Sequence, residues 1–168
     1  GEAELSEVLY AADFELTLDG WGAASQQTAL QRDGGTAYAG RGALQVRAAS
    51  GAGAAAARKP FPDWPLDLYP SLRLAYRIPR GTPVVLRGKT PFGDWVAVGA
   101  TAGAPSEGGE ERPEAVLADD GQWHELAIDV AGAIHRVLPG VSSLTELEVS
   151  SPAGAVSGFW MDAIRVGR

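Results

Sequence analysis

The chain has 168 residues, of which 45% are hydrophobic, and a formal net charge of −7 at pH 7. This length suits one domain with a proper core. No apolar run approaches the roughly 20 residues that span a bilayer, so membrane insertion is not expected. The acidic balance, without a basic cluster, disfavours nucleic-acid binding. Cysteine is absent, which excludes disulfides and thiolate metal sites, and two isolated histidines disfavour a multi-histidine site.

The N-terminal segment is mixed acidic and apolar, and residues 1–12 are predicted as an arm ahead of a single domain at 13–168. Leu5 with Val8–Leu9 suits one face of a helical turn, whereas Val8–Tyr10 would equally open a strand. A short apolar arm of this kind could also add as a strand to a neighbouring chain.

The next segments carry strand and turn patterns. Phe14–Leu18 alternates with period two and predicts a strand that ends at the turn Asp19–Gly20. Residues 25–48 predict two short strands around Asp33–Gly35. Residues 48–57 are rich in alanine and glycine, and they suit either a flexible loop or a strand that another backbone approaches closely.

The remaining chain is also rich in strand patterns. Prolines and aromatics at 61–70 predict an extended, rigid connection. The acidic stretch at 102–115 lacks apolar anchors and predicts a mobile surface loop. Only residues 131–138, which are followed by Pro139–Gly140, have convincing helical spacing. Further strands are predicted at 72–78, 83–89, 95–100, 122–130, 144–149 and 158–166.

The order of these elements indicates the fold class. Short strands, frequent turn signals and a single short helix are typical of all-β proteins. Repeated βαβ alternation is absent, so a parallel sheet is not expected. The predicted fold is a two-sheet antiparallel β-sandwich of the jelly-roll type with one short helix.

The last predicted strand carries one carboxylate, Asp162, inside an apolar and aromatic run. An isolated carboxylate is costly to desolvate, so Asp162 must be ion-paired, hydrogen-bonded or metal-bound if the strand is interior. If the two ends of the chain pair, the acids of Asp13–Glu15 are its best candidate neighbours. A hard cation such as calcium would suit that arrangement.

Several segments resemble the galactose-binding-like jelly rolls, a group that includes many carbohydrate-binding modules. These segments are Phe14–Glu15, Gly20–Trp21, Gly40–Val46, Leu72–Pro79, Gly121–Asp129 and Trp160–Val166. Each motif is degenerate, and the resemblance rests on their order and spacing over most of the chain.

The resemblance implies a non-catalytic, secreted bacterial module, extracellular or at the cell surface, that binds a polysaccharide or another glycan. It also implies a structural calcium between the first and last strands. Glu15 and Asp162 would be the side-chain ligands, and backbone carbonyls from Gly40 to Ala43 would complete the shell. The alternative is a hydrogen-bonded Asp162 with a solvated Glu15.

Sugar recognition needs flat aromatic faces beside hydrogen-bonding side chains. Trp64 follows a proline-rich stretch and Trp95 follows a hairpin tip, so both are predicted to be exposed. The predicted ligand face consists of Trp64, Tyr69 and Trp95, supported by Arg73, Arg77 or Arg87 from the polar sides of their strands. The same aromatics would equally serve as caps at the ends of the sandwich. The other tryptophans are interpreted as structural or core residues: Trp21, Trp123 and Trp160.

The sequence contains no pattern for catalysis. No Gly-x-Ser-x-Gly nucleophile elbow occurs, and Glu146 and Glu148 alternate onto the solvent face of one strand, which indicates a wet surface rather than a glycosidase pair. The protein is therefore not expected to be an enzyme. The alternative to a glycan-binding module is a structural subunit of a surface layer, tube or filament that self-assembles through residues 1–12.

Overall fold

The computed structural model describes residues 7–51, 53–105 and 112–168. Within these ranges the chain forms a β-sandwich with one helix, α1 (Val130–Val137). The strands are β1 (Val8–Ala12), β2 (Gly22–Ala23), β3 (Thr28–Asp33), β4 (Ala43–Ala48), β5 (Ala55–Pro65), β6 (Ser71–Arg77), β7 (Val85–Lys89), β8 (Trp95–Thr101), β9 (Val116–Leu117), β10 (Trp123–Asp129), β11 (Ser143–Ser151) and β12 (Phe159–Gly167).

The strands form two six-stranded sheets. Sheet A has the order β10-β6-β12-β4-β3, with β1 also paired to β12. Sheet B has the order β2-β5-β11-β7-β8-β9. The pairs are antiparallel except β8 with the two-residue β9, which is parallel. The predicted two-sheet antiparallel sandwich with one short helix is confirmed.

One apolar core lies between the sheets, because alternate residues of each strand point inward. Leu44 and Met161 enter it from sheet A, and Leu86 and Leu147 enter it from sheet B. Trp21 is also buried, with 4% exposure, as expected for a structural residue. This shared core leaves the opposite faces of both sheets for solvent or ligands.

The helix lies where its spacing predicts. Its N-terminus is capped by Asp129, whose Oδ1 accepts a 2.9 Å hydrogen bond from the Gly132 N–H, which satisfies a backbone donor at the first turn. Val130 and Ile134 are buried, and α1 packs against β6 and β8. The helix therefore covers one end of the core.

The strand predicted at Phe14–Leu18 is wrong, because these residues form a loop. The Asp19 carboxylate accepts a 2.9 Å bond from the Phe14 N–H, and it also accepts the Thr17 hydroxyl proton at 2.9 Å. Such local side-chain bonds compete with a strand ladder. Phe14 takes a positive φ of 54° and is fully buried, whereas Leu16 is 91% exposed.

Of the alternatives left open for the N-terminal segment, the structure contains the strand. Val8–Ala12 forms β1 and pairs antiparallel with the end of β12. Residues 1–6 lie outside the described residues. Self-assembly through residues 1–12, and the boundary between an arm and a domain, stay predictions.

The structure also shows the outcome for three stretches that were predicted from composition. In the alanine-rich stretch at 48–57 a turn follows β4, and β5 begins at Ala55. In the proline-rich stretch at 61–70, the first half is extended as predicted, since β5 continues to Pro65, but a turn follows at 66–68. The loop predicted at 102–115 lies partly outside the described residues, which omit 106–111.

Candidate functional site

The outer face of sheet B carries three parallel rows of side chains, set by the pairing of β5, β11, β7 and β8. The middle row contains Arg58, Glu148, Arg87 and Ala97. The row on one side contains Pro60, Glu146, Lys89 and Trp95. The row on the other side contains Ala56, Ser150, Val85 and Ala100. The side chains of this last row are small, so they leave open space beside the two rows that carry charged side chains.

A groove of about 380 Å³ runs over this face. Its lining combines small, hydroxyl and charged side chains: Ser25, Gln27, Ala54, Ala55, Ala56, Arg58, Val85, Arg87, Trp95, Pro105, Glu148, Ser150, Ser151 and Pro152. Val85, which lines the groove, also forms a separate small apolar cluster with Ala97, Ala100 and Ala104. The groove therefore has an apolar floor and polar walls.

Charged groups in the groove hold one another in place. Arg58 Nε donates to Glu148 Oε2 at 2.8 Å, and Arg87 Nη1 donates to Ser150 Oγ at 3.3 Å. The Glu148 side chain is only 12% exposed, whereas that of Arg58 is 44% exposed. The groove thus offers guanidinium donors from Arg58 and Arg87 beside the carboxylate acceptor of Glu148.

Trp95 is the aromatic side chain of the groove, and two cations contact its ring. Arg58 Cζ lies 5.1 Å from the ring centroid and Lys89 Nζ lies 5.6 Å from it. Arg58 and Trp95 belong to β5 and β8, which are separated by β11 and β7. A direct contact across two strands indicates that this face of sheet B is concave.

One carboxylate oxygen beside the groove has no hydrogen-bond partner among the described residues. This atom is Glu146 Oε2, which is buried. Glu146 lies between Pro60 and Lys89 in the row that ends at Trp95. A buried acceptor without a partner is destabilising.

The outer face of sheet A carries a different row of side chains. One line of paired residues crosses the sheet, and we call it the indole row: Trp123, Arg77, Trp160, Gln45 and Gln31. Trp123 and Trp160 are half-buried. The expectation that both are core residues is wrong, because Phe159 and Met161 take the inward positions of β12 and the alternation turns Trp160 outward.

Hydrogen bonds fix both rings of the indole row. Trp160 Nε1 donates to Asp33 Oδ2 at 3.0 Å, and Trp123 Nε1 donates to Thr36 Oγ1 at 3.3 Å. Arg77 Cζ lies 5.4 Å from the Trp160 ring centroid. Gln31 Nε2 donates to Gln45 Oε1 at the other end of the row. Asp33 ends β3 and Thr36 lies in the loop 34–42 that follows it.

Loop 34–42 is held on sheet A by two carboxylates. Asp162 Oδ2 accepts the N–H groups of Tyr38 and Ala39 at 3.0 and 3.1 Å, and Glu15 Oε2 accepts the Arg41 N–H at 2.8 Å. The other Asp162 oxygen accepts the Ala163 N–H at 2.7 Å. Burial raises the pKa of Asp162, and these three N–H bonds oppose that rise.

Glu15 and Asp162, the predicted metal ligands, both contact loop 34–42, but there they accept hydrogen bonds from backbone N–H groups. A Cβ on Gly40 would lie 1.6 Å from Glu15 Oε1, so that carboxylate rests on Gly40. Ala43 is buried at the start of β4. In the described part of the chain no group of three or more His, Cys, Asp and Glu side chains could hold a metal. These contacts fit a hydrogen-bonded clasp better than a calcium shell of six to eight oxygens.

A cation of the chain itself lies at this end of the sandwich. Arg32 Nε donates to the Phe14 carbonyl at 2.7 Å. Gly42 leaves the space for this contact, because a Cβ there would lie 2.7 Å from both Arg32 Cζ and Phe14 O. Arg32 therefore joins β3 to the loop that follows β1.

The residues predicted as one ligand face occupy three places. Trp64 is fully buried and donates from Nε1 to the Tyr69 carbonyl at 2.7 Å, so its predicted exposure is wrong. An irregular register opposite Leu144 turns Trp64 inward near Phe61. Tyr69 packs at the edge of the core. Arg73 and Arg77 belong to sheet A, while only Trp95 and Arg87 meet in the groove.

Sequence reasoning missed several residues of the two faces. Arg58 lies between an alanine-rich and a proline-rich stretch, which hid the phase of β5. Glu148 lies on the outer face of its strand as predicted, but it is buried there and not wet, and its ion pair with Arg58 depends on the sheet order. Gln45 could have been found, because it alternates with the core residues Leu44 and Val46.

The fold has clear structural relatives, although no family model and no curated protein matches the chain. The C-terminal family 22 carbohydrate-binding module of Clostridium thermocellum Xyn10B is 18% identical, with 99% of this chain and 96% of that chain covered and a TM-score of 0.61. The family 11 module of cellulosomal cellulase Lic26A-Cel5E from Clostridium thermocellum is 12% identical, with coverages of 99% and 97% and a TM-score of 0.61. A family 22 xylan-binding domain is 15% identical, with coverages of 96% and 95% and a TM-score of 0.57.

These similarities define a class of fold. The protein has the β-sandwich jelly roll of carbohydrate-binding modules, which confirms the resemblance found in the sequence. At identities of 18% and below, the likeness concerns the fold and not the ligand. No helix among the described residues is long and apolar enough to cross a membrane.

Proposed function

We propose that the protein is a non-catalytic, secreted module that binds a polysaccharide chain in the groove on sheet B. The observation that carries the proposal is the groove itself, with Trp95, Arg58 and Glu148 over a floor of small residues. The fold shared with carbohydrate-binding modules supports the same ligand class and an extracellular location.

The groove has the chemistry that a sugar requires. A hydroxyl group donates and accepts at once, and it is matched by Arg58 beside Glu148 and by Arg87 beside Ser150. The Trp95 ring offers a flat surface for sugar C–H groups once the two cations over it shift. Cation–π contacts at exposed sites contribute only about 0.5–1 kcal/mol, so their displacement is a modest cost.

A hydrolytic role for the same groove is not favoured. A glycosidase needs one carboxylic acid that stays protonated and a second ionised carboxylate. Glu148 is held 2.8 Å from the Arg58 guanidinium, and it is the one carboxylate among the described residues that line the groove. The described lining of the groove therefore supplies one carboxylate where hydrolysis needs two.

The test is a binding measurement on the wild type and on two aromatic-to-alanine variants, one inside the groove and one outside it. Calorimetry with xylohexaose and a β-1,3-1,4-mixed-linked tetrasaccharide, after a glycan array has ranked ligands, gives the affinities. We expect Trp95→Ala to weaken binding at least about tenfold, or about 1.4 kcal/mol. The control is Phe92→Ala, which removes an 81% exposed ring from the neighbouring hairpin tip and should leave the affinity unchanged.

Two results would overturn the proposal. One is a wild-type protein that binds no glycan at millimolar concentration. The other is a Trp95→Ala protein that binds as tightly as the wild type, which would move the ligand away from the groove.

A further inference from the structure

The indole row on sheet A lies outside the core of the sandwich, although loop 34–42 packs against part of it. Tryptophan is usually well buried in a core, yet Trp123 and Trp160 both project from the outer face of a sheet whose inner face already fills the core. The two indoles lie two strands apart, on either side of Arg77. Two half-buried tryptophans in one line across the outer face of a sheet leave aromatic surface that a ligand can contact.

The geometry of the row suits an extended chain ligand. Two strands separate the backbones of Trp123 and Trp160 by about 10 Å, twice the spacing of neighbouring strands. That distance is comparable to two sugar units of an extended β-1,4-linked chain. Gln45 and Gln31 continue the line with amide groups, which can donate to and accept from hydroxyls.

The rings are held before any ligand arrives. Each indole Nε1 has its own acceptor, Asp33 for Trp160 and Thr36 for Trp123. Tyr38 packs beside Trp123, with ring centroids 5.9 Å apart. Immobilising side chains in advance lowers the entropy that binding must overcome.

The charges along the row are balanced. Arg77 lies on one side of Trp160, and Asp33 accepts from the indole on the other. Further along β6 and β10, Arg73 and Glu125 form an ion pair at 3.2 Å. A face with equal positive and negative groups favours a neutral, hydroxyl-rich ligand over a phosphate or an acidic polymer.

We propose that the indole row is a second glycan-binding surface, and that its occupant is a neutral, β-linked polysaccharide chain. The proposal takes its ligand class from the proposed function, but it places a separate chain on the opposite face of the sandwich. A module with two such faces bridges two chains, which raises its retention on a polysaccharide without any new contact.

The experiment follows the indole N–H signals of the five tryptophans by NMR during titration with xylohexaose and with a β-1,3-1,4-mixed-linked tetrasaccharide. Trp21 and Trp64 are buried and serve as internal references. We expect the Trp123 and Trp160 signals to shift with a midpoint different from that of Trp95. The shifts at Trp123 and Trp160 should persist in the Trp95→Ala protein.

Variants on the row give the second readout. Trp160→Ala should abolish the Trp123 shift while the Trp95 shift remains, and Gln31→Ala, which changes only an exposed amide of the row, should weaken binding there about threefold. Because Gln31 is exposed, its variant stays folded even if loss of Trp160 disturbs the sheet.

Each outcome separates the two proposals. Shifts confined to Trp95 overturn the second surface and leave the groove in place. Shifts confined to Trp123 and Trp160 overturn the groove and leave the second surface. If no indole N–H signal shifts, both the groove and the second surface are overturned as glycan-binding sites. Shifts at Trp123 and Trp160 that follow protein concentration instead of glycan identify the row as a contact between copies of the chain, which also overturns the proposal.

Discussion

The groove on sheet B and the indole row on sheet A lie on opposite faces of one sandwich, and they hold their aromatic rings in different ways. In the groove the Trp95 ring is contacted by the side chains of Arg58 and Lys89. In the indole row the rings of Trp123 and Trp160 are fixed through their own N–H groups. The first face must rearrange to receive a sugar, whereas the second is already arranged.

The difference comes from what covers each sheet. Sheet B carries side chains from its own strands, so charged groups on neighbouring strands pair with one another across the rows. Sheet A is covered in part by loop 34–42, which supplies Thr36 as the acceptor for Trp123. The same strand order thus leaves an adaptable face on one side and a rigid face on the other.

The largest expected effect comes from Asp162→Ala, which removes the anchor of the rigid face. Three backbone N–H groups would lose their acceptor, and unsatisfied buried groups cost about 1–3 kcal/mol each. We expect a loss of at least about 3 kcal/mol in the free energy of unfolding, measured by urea denaturation. The glycan affinity of the groove should survive at temperatures where the variant is folded.

The control for this change is Asp13→Ala. Asp13 pairs with Arg165 at 2.7 Å on the surface, and its side chain is 49% exposed, so it should cost less than about 1 kcal/mol. Equal losses in both variants would mean that Asp162 does not anchor loop 34–42.

A smaller effect is expected from Gly40→Ala in the same loop. Gly40 has a φ of 72°, and a Cβ there would meet Glu15 Oε1 at 1.6 Å. Gly81→Ala is the matched control, because Gly81 has a φ of 81° and nothing within 4 Å of its Cβ position. The control should lose about 1–2 kcal/mol from the left-handed backbone alone. Gly40→Ala should lower the free energy of unfolding by more than the control does, as measured by thermal or urea unfolding. A loss no larger than that of the control would show that the Glu15 side chain can move aside at no cost.

Glu148→Gln tests the adaptable face. The Arg58 side chain is 44% exposed, so loss of the ion pair should change the free energy of unfolding by less than about 1 kcal/mol. Glycan affinity in the groove should fall severalfold, because Arg58 is no longer held beside the ligand. Glu125→Gln breaks the corresponding pair with Arg73 on sheet A, and calorimetry should find the groove affinity unchanged in that variant.

The smallest expected effect is that of EDTA on the melting temperature. The structural calcium implied by the sequence resemblance stays a prediction, and it requires EDTA to lower the melting temperature and Asp162→Ala to abolish that sensitivity. The hydrogen-bonded clasp requires no change. We expect no change, because both Asp162 oxygens already accept N–H bonds.

The sequence predicts much of this fold because most strands carry their own alternation. Ser71–Arg77 and Trp123–Asp129 expose one polar face each, which fixes their orientation without knowledge of the neighbours. The helix has a cap, apolar spacing and a terminating Pro139–Gly140. Phe14–Leu18 shows the limit, since one side chain, Asp19, closes a loop that period-two alternation cannot reveal.

The candidate sites were harder to predict than the fold. Whether an aromatic residue faces the core depends on the phase of its strand, and the continuous apolar run around Trp160 hides that phase. Trp64 looked exposed because prolines surround it, but the register irregularity in β5 turns it inward. Arg58 and Trp95 meet across two intervening strands, and this contact depends on sheet order and curvature, which no local pattern contains.

The guanidinium of Arg32 has one further consequence. It bonds to the Phe14 carbonyl where the loop after β1 meets the end of β3, and Gly42 keeps the space open for it. The positive charge at this junction is covalently part of the polypeptide. It can be neither diluted away nor removed by a chelator, so the contact between Arg32 and the loop after β1 does not itself depend on a bound ion.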